Sequence, residues 1–408
     1  MRRPTIDLSG LRLAAAVACL STVALAQSDE QKTSWTIRAK EVHTATGKVI
    51  EDGFVRVSEG RIRAVAPGGP TGGDVLSVAA ITPGLVDLSI RIDSSFDSVE
   101  QGSETTPWMR VAETLDLFDP RWQRQLERGV TTAVVSTHPR NVIGGLSVAL
   151  KTGGEPTLEA RQVRPDVALN AVIGSQPSSG NRPAFVRPSS IYNRRPTTRM
   201  GVEWEARKAF YDALVAREEE SARFDGVEHL HAVIDGELPF LVQAATTQDI
   251  RTTLMLKDEF GIPNVILDSA AEAWKEPEML QRSGASVVLP PFTWNGRTDI
   301  DGGFMAWDTA AQLAELGVAF AFSGHGNEGP DAVLALQPTH AIRGGLDPAL
   351  ALRAVTIAPA RMIGIEDRVG SIEVGKDADL LLWNGTPFAP TSSIVGVLLE
   401  GQLIVDPR

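Results

Sequence analysis

The sequence predicts an α/β protein built on a parallel sheet, with a smaller β unit assembled from strands near both ends of the chain. Three observations predict it. The second half holds four consecutive strand–helix units, the pattern that right-handed parallel crossovers produce. Short β-branched and apolar runs, with no helical period, lie at the two ends. The length of 408 residues suits a large α/β domain plus a smaller unit.

Taken in order, the first residues read as a targeting signal. Arg2, Arg3 and Arg12 supply positive charge, Leu13 to Ala26 is apolar and small, and Ala24-Leu25-Ala26 forms an A-x-A cleavage site before Gln27. Residues 1–26 are therefore expected to be a signal peptide, and the protein to be exported to the periplasm or secreted. The apolar run is too short for an ordinary membrane span. Cys19 is the single cysteine, so the chain after residue 26 has neither a disulfide framework nor a thiol nucleophile. A formal net charge of −12 argues against nucleic-acid binding, which needs Lys and Arg in excess.

Thr36 to Val42 reads as a strand, and Val55, Val57, Ile62 and Val65 belong to two runs joined at the hairpin signal Glu59-Gly60. Leu85-Val86-Asp87-Leu88 follows Thr82-Pro83-Gly84 as an apolar run of buried-strand type. A short helix is expected at 121–128, stopped by Gly129, then a strand at 130–135. Residues 174–199 form a long loop rich in Pro, Ser and Arg, with Arg182, Arg187, Arg194, Arg195 and Arg199 offering basic charge on an acidic protein. Ala206, Phe210 and Leu214 mark a helix over 202–215. The four units then pair strands at 240–242, 265–267, 286–289 and 318–322 with helices at 249–260, 271–282, 309–316 and 332–342. Periodicity alone leaves open whether they are half of a closed barrel or part of an open sheet. One more helix is expected over 350–363, and strands return at 380–382 and 397–405.

Several of these segments resemble the amidohydrolase superfamily, specifically its imidazolonepropionase-like branch. Ile81-Thr82-Pro83-Gly84-Leu85-Val86-Asp87-Leu88 is similar to the first barrel strand of that superfamily. Ala351 to Arg361 resembles its last barrel helix, and Gly370 to Leu380 its return into the β domain. Pro196 to Gly201 and Asp249 to Leu254 resemble further segments of the branch, so the likeness covers roughly 35–405. The resemblance implies a (β/α)8 TIM-type barrel over 81–365, plus a small β-sandwich domain composed of 33–80 and 366–408.

It also implies metal-assisted hydrolysis of carbon–nitrogen bonds at the C-terminal ends of the barrel strands. The superfamily's ligands are a His-x-His pair on strand 1, histidines after strands 5 and 6, and an aspartate after strand 8. At the corresponding positions this chain has Ser89 and Arg91, then Gln243 or Ala245, then Ser269, then Gly324 in Ser323-Gly324-His325-Gly326. A catalytic zinc normally needs about three protein ligands. Asp268 and His325 remain as metal candidates, with Lys151 as a conceivable carboxylated bridge, so zinc or another divalent metal is expected only if such a site is retained. Arg91 would put a fixed positive charge where the cation belongs.

The expectation is a catalytically degenerate protein, acting as a binding protein or non-catalytic subunit, with a small-molecule ligand at the barrel mouth and an intact homologue as a conceivable partner. The alternative is an active hydrolase of amides or cyclic amides with an altered, metal-poor or metal-free site. In it His325 or Asp268 is the base and Arg91 stabilises the oxyanion. His138 is a further mouth candidate. His229 and His231 are read as a solvated loop pair, and His43 and His340 as structural.

Overall fold

In the computed structural model the described residues are 34–69, 75–92, 98–179, 181, 195–292, 303–326 and 332–406. The signal-peptide segment, and Arg182, Arg187 and Arg194 of the basic loop, lie outside them. Residues from Thr33 onward form one compact unit.

The chain opens with β1 (Ser34–Val42), β2 (Ile50–Ser58), β3 (Arg61–Pro67) and β4 (Val75–Pro83). The barrel strands follow as β5 (Leu85–Ile90), β6 (Val130–Val135), β7 (Ile143–Lys151), β8 (Gln162–Val172), β9 (Phe240–Gln243), β10 (Val265–Asp268), β11 (Ser286–Leu289) and β12 (Phe320–Phe322). The last strands are β13 (Leu380–Trp383), β14 (Ile394–Leu399) and β15 (Gln402–Val405). The helices are α1 (Pro120–Glu127), α2 (Leu158–Arg161), α3 (Arg199–Glu218), α4 (Val227–Ile234), α5 (Thr247–Phe260), α6 (Pro277–Ser283), α7 (Thr309–Glu315), α8 (Gln337–Arg343), α9 (Pro348–Arg353) and α10 (Ile357–Met362).

The two chain ends share one seven-stranded sheet, ordered β15-β14-β13-β4-β1-β2-β3. β4 is its junction, parallel to β1 on one side and antiparallel to β13 on the other. Alternation along these strands gives the sheet a core of its own, in which Ile37, Val55, Val57, Ile81, Leu380 and Leu398 are buried together. The second sheet has eight strands in the order β12-β11-β10-β9-β8-β7-β6-β5, the barrel sheet of a (β/α)8-type fold. Its strands read as continuous apolar runs because both faces are covered.

Four features of the barrel depart from the expected pattern. β7 pairs antiparallel with both β6 and β8, so one strand of the eight runs backwards. Where β12 meets β5, main chain at 354–355 bridges the seam, with Val86 N–H donating to Val355 O and Phe322 N–H to Ala354 O. The helix expected over 350–363 is two helices, α9 and α10, broken at Thr356, whose ψ of −91° lies outside the helical region. The helix expected over 271–282 likewise starts late, because Pro277 favours the first helical position and has no N–H to donate within a helix.

Candidate functional site

β5, β9, β10 and β12 carry the polar groups that meet at the C-terminal ends of the parallel strands. Asp87 sits in the middle of β5, fully buried. Its carboxylate accepts from Ser323 Oγ at 2.5 Å and from the Gly324 N–H at 2.8 Å. Burial pushes its pKa up to about 6, against the opposing pull of the Ser323 hydroxyl, the Gly324 N–H and His325. Ser323 Oγ also lies 2.9 Å from the Ser89 carbonyl, tying β12 to β5 across the seam.

Asp268, at the end of β10, is the hub of the site. Ser89 Oγ donates to its Oδ2 at 2.9 Å, Arg91 Nη2 lies 3.5 Å from the same oxygen, and His325 Nε2 is 3.3 Å from Oδ1. Burial opposes the charge on Asp268, but His325, Arg91 and Ser89 together hold its carboxyl below the ordinary range. Arg91 Nη2 donates to Gln243 Oε1 at 2.7 Å. The guanidinium thus bridges strands β5, β9 and β10. Arg91, Gln243, Asp268, Asn141, Asn170 and Thr137 line a narrow cleft of about 260 Å³, with room at its centre for about one ordered water.

Ser269 and His325 both adopt left-handed backbone, with φ of 57° and 54°. Each such non-glycine residue costs on the order of 1–2 kcal/mol, and such strain concentrates at functional positions. Ser269 Oγ lies 3.3 Å from His325 Nε2, the same nitrogen that faces Asp268. A hydrolytic relay uses the two ring nitrogens separately, one to orient and one to accept the nucleophile's proton. A single nitrogen shared by Ser269 and Asp268 does not perform that relay.

The donor set does not fit the superfamily's metal centre. Of the groups that converge on Asp268, one is an imidazole, one a serine hydroxyl and one a guanidinium that repels a cation. Among the described residues, no three His, Cys, Asp or Glu side chains are placed to share a metal ion. At position 324 a β-carbon would lie 2.7 Å from Ala332 O, so the strand 8 aspartate has no room without a main-chain shift.

Lys151 does not belong to this group. Because β7 runs antiparallel, its last residue pairs with Thr132 near the start of β6, at the opposite end of the barrel. There Lys151 is buried and bridges Asp379 at 2.6 Å and Asp377 at 2.9 Å. Burial works against its charge, but the two carboxylates outweigh it and raise its pKa. A lysine held cationic between two carboxylates is not available for carboxylation. Arg61 and Arg368 also pair with Asp377, so this ionic cluster joins the barrel to the small sheet.

His229 and His231 correct another expectation. They lie on helix α4 rather than in a loop, and two positions apart on a helix they face different directions. His231 Nε2 lies 2.8 Å from Ala213 O and so ties α4 to α3. His43 pairs with Glu41, and His340 lies among the rings of Phe292 and Trp307. The His138 backbone N–H donates to Ser98 Oγ. Of the basic loop, Arg195 is exposed and Arg199 pairs with Asp249 at 3.1 Å. Ala245 is buried beside the cleft and contributes no polar side chain.

Comparison with known proteins agrees with the fold. The Amidohydrolase family profile matches residues 304–404. An amidohydrolase structure from Thermotoga maritima MSB8 superposes with a TM-score of 0.79, at 25% identity over 90% of this chain and 99% of that one. Amidohydrolase tasK of Hapsidospora irregularis is 25% identical over 359 residues, 80% of this chain and 36% of its own length. The chain thus spans about a third of that relative. Imidazolonepropionase of Shewanella frigidimarina is 43% identical over 69 residues, 15% of this chain and 17% of that protein. The fold and these matches make the chain similar to the amidohydrolase superfamily, and the short matches to its imidazolonepropionase-like branch.

Proposed function

We propose that this protein is a catalytically degenerate member of the superfamily, acting as a binding protein or non-catalytic subunit. The observation that carries the reading is the Arg91 guanidinium, bonded to Gln243 and paired with Asp268 where the cation would otherwise be held. An arginine cannot give up its charge to make way for a metal. Asp268, held below the ordinary carboxylate range, is a weak base, and the Nη2 edge of Arg91 is already taken by Gln243 and Asp268. Both facts weigh against a metal-free hydrolase built on the same residues. Asn141, Asn170 and Gln243 give the cleft neutral donors and acceptors, which suit a small polar ligand. Export remains part of the reading, on the N-terminal Arg-rich, apolar and A-x-A pattern. Among the described residues no helix is long and apolar enough to cross a membrane.

The test is metal content and hydrolysis together. The full chain, produced with zinc, manganese or iron and purified without chelator, is expected to hold well under one metal per chain. It is also expected to leave amides, dipeptides and cyclic imides intact. The double variant Ser89→His, Arg91→His restores the strand 1 pair and is expected to raise bound zinc. Stoichiometric metal on the wild-type chain, with hydrolysis of any of these substrates, sinks the proposal.

A further inference from the structure

A second cavity, of about 440 Å³, lies among β11, β12, α7, α9 and α10. Ser286 and Phe320 on its strand side are the first residues of β11 and β12, which run parallel. Asp268 is the last residue of its strand, so this cavity and the Asp268 cleft lie at opposite ends of the barrel sheet. In barrels of this kind the N-terminal end serves packing, and close packing leaves few voids larger than a water. A cavity within the range of about 300–1,000 Å³ has instead the size of a small-molecule site.

Small residues make the space. Ala314 and Gly317 on one wall, and Ala354 and Ala358 on the other, present at most a β-carbon each. Phe320, Leu350, Ile357 and Met362 give the rest an apolar lining. Apart from Ser286, the polar side chains in the lining are Arg353 and Arg361. Leu350, Arg353, Ile357 and Arg361 recur every three or four residues, so they share one face although the helix breaks at Thr356.

Among the described residues neither arginine has a carboxylate at ion-pair distance. Glu373 feels Arg361 from further away and is itself held by Lys376 at 2.7 Å. Each arginine stands in the last turn of its helix, where positive charge is favoured. That accounts for the charges but not for two of them lining one apolar cavity. On a chain of formal net charge −12, such a pair attracts an anion and repels a cation. Guanidinium forks match the geometry of a carboxylate. We propose that this cavity binds one small carboxylate with an apolar body, its hydrocarbon against Ile357 and Phe320 and its carboxylate between Arg353 and Arg361. The site stands apart from the Asp268 cleft and does not depend on whether that cleft is catalytic.

Decanoate is the probe, titrated into the full chain by calorimetry. One molecule per chain is expected to bind with a Kd on the order of 100 μM, as about twelve non-hydrogen atoms of ordinary ligand efficiency allow. Decanol, which lacks the charge, is expected to bind about tenfold or more weakly, and so is decanoate to the double variant Arg353→Gln, Arg361→Gln. Both arginines are exposed, so this variant is expected to keep the wild-type circular dichroism. Ala358→Phe puts a ring into the cavity, tests the space independently of the charge, and is expected to abolish binding. Should Ala358→Phe not fold, the arginine variant and decanol carry the test. No binding of decanoate up to about 2 mM, well above that Kd, overturns the proposal. So does decanol that binds as tightly as decanoate, which would make the cavity a plain apolar void. Wild-type affinity in either folded variant also overturns it, because the carboxylate would then be bound elsewhere.

Discussion

Replacing Asp87 by asparagine gives a direct reading of what the buried carboxyl contributes. In the fold its pKa rises from 3.8 to about 6, chiefly because the ionised form is removed from water. The native state therefore binds this proton more tightly than the unfolded chain does. Below about pH 4 both states are protonated and the group is neutral for stability. As pH rises through 4 to 6 the unfolded chain ionises first, and native stability falls by about 3 kcal/mol from this group alone. Asp87→Asn carries no such proton. Its amide nitrogen would face the donors Ser323 Oγ–H or Gly324 N–H, a penalty of about 1–3 kcal/mol that does not change with pH. Urea unfolding of both proteins, followed by tryptophan fluorescence from pH 4 to 7.5, isolates the effect. The stability of the variant relative to wild type is expected to climb by about 3 kcal/mol over that range and then level off. A flat difference, or one that moves against the variant as pH rises, would refute the assignment.

Lys151→Met is expected to cost about 3–5 kcal/mol in urea unfolding at pH 7, since it strands the buried Asp379 carboxylate while Asp377 keeps Arg61 and Arg368. A loss under about 1 kcal/mol would contradict the bridging role. Gly145→Ala forces a β-carbon to 2.4 Å from Met109 O at a φ of 98°, so its melting temperature should drop by the equivalent of about 2 kcal/mol or more. Because the Asp268 carboxyl is held low, its stabilisation is full above the ordinary carboxylate range and is lost as pH falls through the lowered value. Arg91→Gln weakens that hold, and the acid limb of a melting-temperature profile is expected to move to higher pH; an unmoved limb would show that Arg91 does not support the ionised form.

The strand–helix units of the second half were legible because each strand is an apolar run closed by a glycine-stopped helix, as at Gly261 and Gly284. The long β7–β8 hairpin was not, because Gly144-Gly145 reads as a turn and Pro165-Asp166 as a break, yet both lie within strands. The reversal of β7 explains why Lys151 was placed at the wrong end. At the site, the structure brings together Arg91, Gln243, Asp268 and His325, residues that the resemblance had singled out. Asp87 and Ser323 were not singled out as site residues. The available signal was an acidic residue inside an otherwise apolar strand, which demands a partner when buried. The left-handed backbone at Ser269 and His325 has no signature in residue type, since tertiary contacts impose it.

The position of β4 between β1 and β13 bears on how the chain is made. Trp383 Nε1 donates to Thr82 Oγ1 across 301 positions of sequence, and every hydrogen bond between β4 and β13 spans a comparable distance. Until the ribosome has delivered β13, one edge of β4 has no partner. The earlier strands must wait through synthesis of the whole barrel with unpaired N–H and C=O groups, a ready template for neighbouring chains. Such distant pairing also slows folding, because loop closure precedes any gain from contact. A product cut short anywhere before β13 would keep that edge permanently open, so damaged chains should precipitate or be degraded rather than accumulate in soluble form.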